Sequence, residues 1–195
     1  MRIASFVMTL LALNGNATAA DVTVYVASQG NTSTYAAKRI AESVFRKSGL
    51  TLAWETQAPT IGGTPGIWLR VILAEQTPDE RLPGALAVAH PYDCTKTITV
   101  FNDRIRSIAR RPELESALLA YVLVHEITHV LQRVERHSDE GVMKASWSPD
   151  DRAKIFARRL TLIEEDIQLI RQGLAAGCRR QFTDRSESGI AAHPE

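Results

Sequence analysis

The sequence predicts an α+β fold in one domain, and three observations carry that prediction. Short strand-like runs fill the first half of the chain, between Val22 and Phe101. One amphipathic helical pattern interrupts them early. After Pro112 the spacing turns helical, with an irregular stretch around Gly141 before the pattern resumes. The resulting order, a strand, a helix, four strands, a helix, an irregular segment and a closing helix, predicts a twisted mixed sheet covered by helices. With 195 residues, 45% of them hydrophobic, the chain can bury one core and is short for two.

Val22 to Ala27 alternates apolar and polar residues, the period of a half-buried strand. A Gly-Asn-Thr-Ser turn follows. Tyr35 to Phe45 then has helical spacing, with Ala36, Ile40, Val44 and Phe45 able to share a face. Ser48-Gly49 stops it. Leu50 to Trp54 reads as a second strand, Pro59 to Gly66 as a loop, and Ile67 to Leu73 as a third strand. Ala85 to Ala89 and Thr97 to Phe101 complete the five. Pro112 opens a helix at a favoured first-turn position, and Glu113 and Glu115 suit its dipole there. Its apolar run from Ala117 to Val124 is cut by His125-Glu126 too early to span a bilayer. Ser148-Pro149-Asp150-Asp151 starts a closing helix. Phe156, Leu160, Ile163, Ile167, Ile170 and Leu174 then form one apolar stripe that runs toward Gly177.

Lys and Arg number 23 against 22 Asp and Glu. That balance lacks the basic footprint of a nucleic-acid binder, and no charged tail points to an oppositely charged partner. Residues 1–20 have the three parts of a secretory signal peptide: Arg2, an apolar run from Ile3 to Leu13, and the small residues Ala17-Thr18-Ala19. The expectation is a secreted or periplasmic protein with a domain over residues 21–178. Residues 179–195 read as a polar, loosely ordered tail. Export would place Cys94 and Cys178 in an oxidising compartment, where a disulfide between them and two free thiols are both open.

His125-Glu126-Ile127-Thr128-His129 lies on the predicted helix. Residues i and i+4 stand one above the other on the same helical face. Two imidazoles can therefore converge on one cation, each at roughly 2.0–2.1 Å. Glu126 is rotated off that face, where it can take a proton from a water acidified by zinc. A hydrolytic zinc site needs a third protein ligand and an open position. His137 is the first candidate. On a continuous helix it would sit about 12 Å beyond His129, so the chain must break after Val130 and fold back. Leu131 to Arg136 contains neither Gly nor Pro to mark the break. Glu135 and Asp139 compete for the third position. His90, beside Pro91, reads as a loop residue, and His193 sits in the tail.

His125-Glu126-x-x-His129, a later His137-Ser138, and Gly141-Val142-Met143 together resemble the metzincin zinc peptidases, above all the matrixin branch. The resemblance covers residues 124–143. It implies one catalytic Zn2+ held by His125, His129 and His137, with Glu126 as general base and a peptide or protein as substrate. It also implies that Met143 forms a hydrophobic floor under the metal; a gap-filling core methionine is the alternative. Leu82 to Pro91 is similar to the matrixin edge strand that pairs with an extended substrate, and an ordinary sheet strand is equally open. The family pattern has five residues between the second and third histidines where this chain has seven, and Gln132 stands where the family has glycine. No prodomain or calcium loop is expected. Two other readings stay open. One is a gluzincin-type hydrolase in which Glu164 or Glu165 is the third ligand. The other is a secreted module that keeps the fold without turnover.

Overall fold

The structure, a computed structural model, describes residues 21–27, 32–57, 67–78, 83–91 and 96–176. The expected leader over residues 1–20, Cys94, Cys178, the expected tail over residues 179–195 and His193 lie outside the described residues.

Among the described residues, five strands form one mixed sheet: β1 (Val22–Val26), β2 (Leu52–Glu55), β3 (Ile67–Ala74), β4 (Ala87–Ala89) and β5 (Thr97–Phe101), in the order β2-β1-β3-β5-β4. The first four in that order run parallel, and β4 closes the edge antiparallel to β5. Alternation decides which face is covered. Val22, Val24 and Val26 of β1, Leu69, Val71 and Leu73 of β3, and Ile98 and Val100 of β5 are buried. Arg70 of β3 is exposed on the opposite face, and Thr23 and Tyr25 are half-buried there.

Five helices follow the expected order with two additions: α1 (Thr32–Lys47), α2 (Asn102–Ile108), α3 (Pro112–Gln132), α4 (Pro149–Phe156) and α5 (Glu164–Ala176). α3 is the core helix. It is long and apolar enough to cross a membrane by length and composition, yet 78% of its most apolar window is buried inside the domain. It packs against α1 on one side and α5 on another, with Tyr121 fully buried and donating its hydroxyl to the Leu160 carbonyl at 3.1 Å.

Two expectations about the helices need correction. α2 carries only one buried residue, Ile105, so no apolar stripe announces it. Its side chains are instead held by the segment after β3, where Asp103 accepts from Thr77 and Arg106 pairs with Glu75. The closing helix is two helices. α4 ends at Phe156, Arg158 takes a left-handed conformation (φ 57°), and α5 starts at Glu164. In the break, the Leu160 carbonyl receives Tyr121 and the Thr161 carbonyl receives the Val142 N–H. These contacts replace the bonds a continuous helix would have made. Leu160 and Leu162 still reach the core.

Candidate metal centre

The last turns of α3 carry the HExxH residues, and the helix then stops abruptly. Gln132 is its last residue, and Arg133 (φ 60°, ψ 32°) caps it in the left-handed region with its N–H on the His129 carbonyl. The break therefore falls after Gln132, two residues later than the sequence pattern asked for. An L-residue costs about 1–2 kcal/mol in this backbone region, which is why glycine is the usual signal; Arg133 takes it here without one. Gln132, at the family's glycine position, stays helical and buried, and its Nε2 donates to the Asp166 carbonyl at 3.1 Å.

The reversed chain brings His137 back to the helix. Ring centroids are 4.7 Å apart for His125 and His129, 5.3 Å for His125 and His137, and 4.9 Å for His129 and His137. One nitrogen from each of the three lies within 4.8 Å of the other two. Four of the seven spacer residues make up the coil and the left-handed turn between Arg133 and Arg136. The longer spacer is thus compatible with convergence.

Backbone carbonyls fix the imidazoles. His125 Nδ1 stands 2.9 Å from the Val142 carbonyl and His129 Nδ1 stands 3.1 Å from the Val134 carbonyl. A carbonyl only accepts, so each Nδ1 carries the proton and each Nε2 keeps a bare lone pair. Burial and the neighbouring His129 push the His125 pKa down to about 3, against the opposing pull of the Val142 carbonyl. Burial lowers that of His129 as well. Both shifts favour the neutral ring, the ligand form. Yet the two Nε2 atoms face each other at 3.0 Å with no proton between them. A cation placed there would satisfy both lone pairs. Two nitrogens bound tetrahedrally at about 2.05 Å would stand roughly 3.3 Å apart, so the donor set fits a metal ion.

Glu126 does not join the group. Burial pushes its carboxyl up to about 7, opposed by a hydrogen bond from the Ala89 N–H. The register of β4 explains that bond. The Phe101 N–H donates to the Leu86 carbonyl, so the hydrogen-bonded pairs of the ladder fall on Leu86 and Val88. Ala87 and Ala89 therefore turn their backbone groups to the open edge. Edge and histidines share one cleft of about 600 Å³, whose lining includes Leu86, Ala87, Val122, His125, Glu126 and Trp147.

The Gly-Val-Met segment holds His125 from behind. Gly141 has φ +72°, and a Cβ there would come within 2.6 Å of the Thr161 carbonyl. Val142 and Met143 are fully buried. The Val142 carbonyl takes both His125 Nδ1 and, at 3.1 Å, Trp147 Nε1. Sequence reasoning missed this carbonyl and that of Val134, since a backbone acceptor leaves no residue-type signal. It also missed Trp147, whose ring meets His125 edge-on at 5.8 Å.

The other candidates stand elsewhere. Glu164 and Glu165, the ligands of the gluzincin-type reading, are exposed on α5 and face Arg171 and Arg136. Glu135 and Asp139 are likewise outside the three-histidine group. His90 is exposed beside the edge strand.

No protein-family model matches the sequence, and no curated protein matches it. Among solved structures it is similar to archaemetzincin from Methanopyrus kandleri, with a TM-score of 0.52 and 18% identity over 79% of this chain and 95% of that one. The chain thus has a metzincin-like fold, and within it a three-histidine group able to hold a metal ion.

Proposed function

We propose that this chain is an exported zinc-dependent endopeptidase in which His125, His129 and His137 hold the metal and Glu126 is the general base. The observation that carries the reading is the convergence of three imidazoles, with the Nε2 atoms of His125 and His129 3.0 Å apart, beside a half-buried carboxyl that lines an open cleft. Ser138 and the Gly141-Val142-Met143 turn support the matrixin-like resemblance, and the signal-like pattern of residues 1–20 supports export.

A bound zinc ion would supply Lewis acidity toward a carbonyl and an acidified water. The protein's own groups do the rest. Glu126 accepts a proton from the attacking water as its oxygen bonds to the scissile carbonyl carbon. It then passes that proton to the amide nitrogen as the C–N bond breaks, leaving a carboxylate and an amine. A carboxyl beside the reacting atoms can do both, and the Ala89 N–H orients it. The outward-facing backbone of Ala87 offers an extended peptide one added strand beside the histidines.

The test is elemental analysis of the purified protein followed by cleavage of an unfolded protein substrate. One zinc per chain, cleavage abolished by chelation, and a Glu126→Gln variant that keeps zinc but not cleavage would bear the reading out. A parent that holds no zinc under any loading condition would overturn it.

A further inference from the structure

Resting on the peptidase reading, the charges that line the cleft point to its substrate class. We propose that the site selects peptides bearing a carboxylate, and that Arg152 receives it.

Two cations line the cleft beside Glu126 and the histidines, Lys144 and Arg152. Lys144 is neutralised, with its Nζ 2.6 Å from Asp151 Oδ2. Asp151 is itself turned inward, where it also accepts from the Ser148 N–H and hydroxyl. Arg152 differs. Its Nη1 donates to the Trp147 carbonyl at 2.9 Å, a neutral acceptor that fixes the guanidinium without cancelling its charge. Among the described residues no carboxylate pairs with it.

A guanidinium has five N–H donors in a planar fork suited to a carboxylate, so donors remain after the Trp147 bond. The opposite wall is uncharged: Ala85, Leu86 and Ala87 of the strand side, Leu118 and Val122 of α3. Glu126, the one acid among the described residues that line the cleft, already accepts from Ala89. An acidic substrate group entering here meets one fixed positive charge and an apolar wall. A lysine or arginine side chain would leave that charge unmatched and add a second.

The carboxylate can be a Glu or Asp side chain or a free peptide C-terminus, and the experiment separates them. Synthetic peptides of equal length carry Glu, Gln or Lys at each position in turn, with amidated or free C-termini, and are given to the zinc-loaded parent, Arg152→Lys and Arg152→Glu. The expected result is a preference of about tenfold or more for the carboxylate-bearing peptides, as a charge-assisted bond warrants, expressed mainly in KM. Arg152→Lys keeps the preference in weaker form and Arg152→Glu shifts it toward Lys. A preference that persists in amidated peptides assigns it to the side chain; one that needs the free terminus assigns it to that end. Equal cleavage of Glu and Gln peptides at both kinds of terminus, or an Arg152→Glu variant that retains the acidic preference, overturns the inference while leaving the peptidase reading intact. Failure to cleave any peptide overturns both.

Discussion

The Ser138 hydroxyl, one residue beyond His137, donates to Asp166 Oδ1 at 2.6 Å, and Asp166 is fully buried. Arg136, on the other side of His137, reaches the same oxygen and Glu165 beside it. Gln132, at the end of α3, donates to the Asp166 backbone carbonyl. The first turn of α5 thus grips both ends of the loop that returns His137. Groups behind a ligand typically set metal affinity within a factor of about 10–100. Asp166→Asn is expected to weaken zinc binding by about tenfold in competition with a chromogenic chelator. An unchanged affinity would mean the loop is held by other contacts.

Ligand assignment is tested by stoichiometry. His137→Ala should fall well below one zinc per chain, while Glu165→Ala should keep the full complement, because Glu165 is exposed and faces Arg136. The reverse pattern would restore the gluzincin-type reading.

Stability of the metal-free protein should depend on pH through Glu126. Its carboxyl is raised to about 7 by burial, so the folded state favours the protonated form. That contribution is complete below the ordinary value of 4.5 and is lost as pH rises through about 7. Metal-free Glu126→Gln, which cannot ionise, should match the parent near pH 4. By about pH 8 it should exceed the parent by up to about 3 kcal/mol, measured by denaturant unfolding. A constant difference across that range would show that Glu126 is not charged at a cost.

Two glycines permit close backbone approach. A Cβ at Gly173 would sit 1.9 Å from the Leu131 carbonyl oxygen, where α5 crosses the end of α3. Gly173→Ala must push α5 away, and a loss of about 2–4 kcal/mol is expected, in the range of severe overpacking. Gly141→Ala meets both the positive φ and the Thr161 carbonyl. It should lower stability and zinc affinity together, since the next residue holds His125. Melting points within a degree of the parent would refute both.

Much of the scaffold was legible because it follows from local periodicity. The five strands were readable, the first from alternation and the others as short strand-like runs, with β5 matching to the residue, and Pro112 marked the start of α3. The spacing of His125 and His129 already placed two imidazoles on one helical face, because a helix turn brings i and i+4 together. The α4–α5 break was illegible for a physical reason. Leu160, Ile163 and Ile167 keep helical spacing, while hydrogen bonds from the distant Tyr121 and Val142 hold the chain between the two helices out of the helix.

The sequence by itself therefore determined the α+β class, the core helix and the first two members of the metal group, all consequences of side-chain pattern within one element. The tertiary structure decided the rest. It ended α3 at Arg133, swung His137 back and left Glu164 and Glu165 in solvent. It also aimed two imidazoles with the carbonyls of Val134 and Val142 and put the open edge of β4 beside Glu126. Each of these depends on contacts between residues distant in the chain or on backbone groups common to every residue, and neither leaves a period to read.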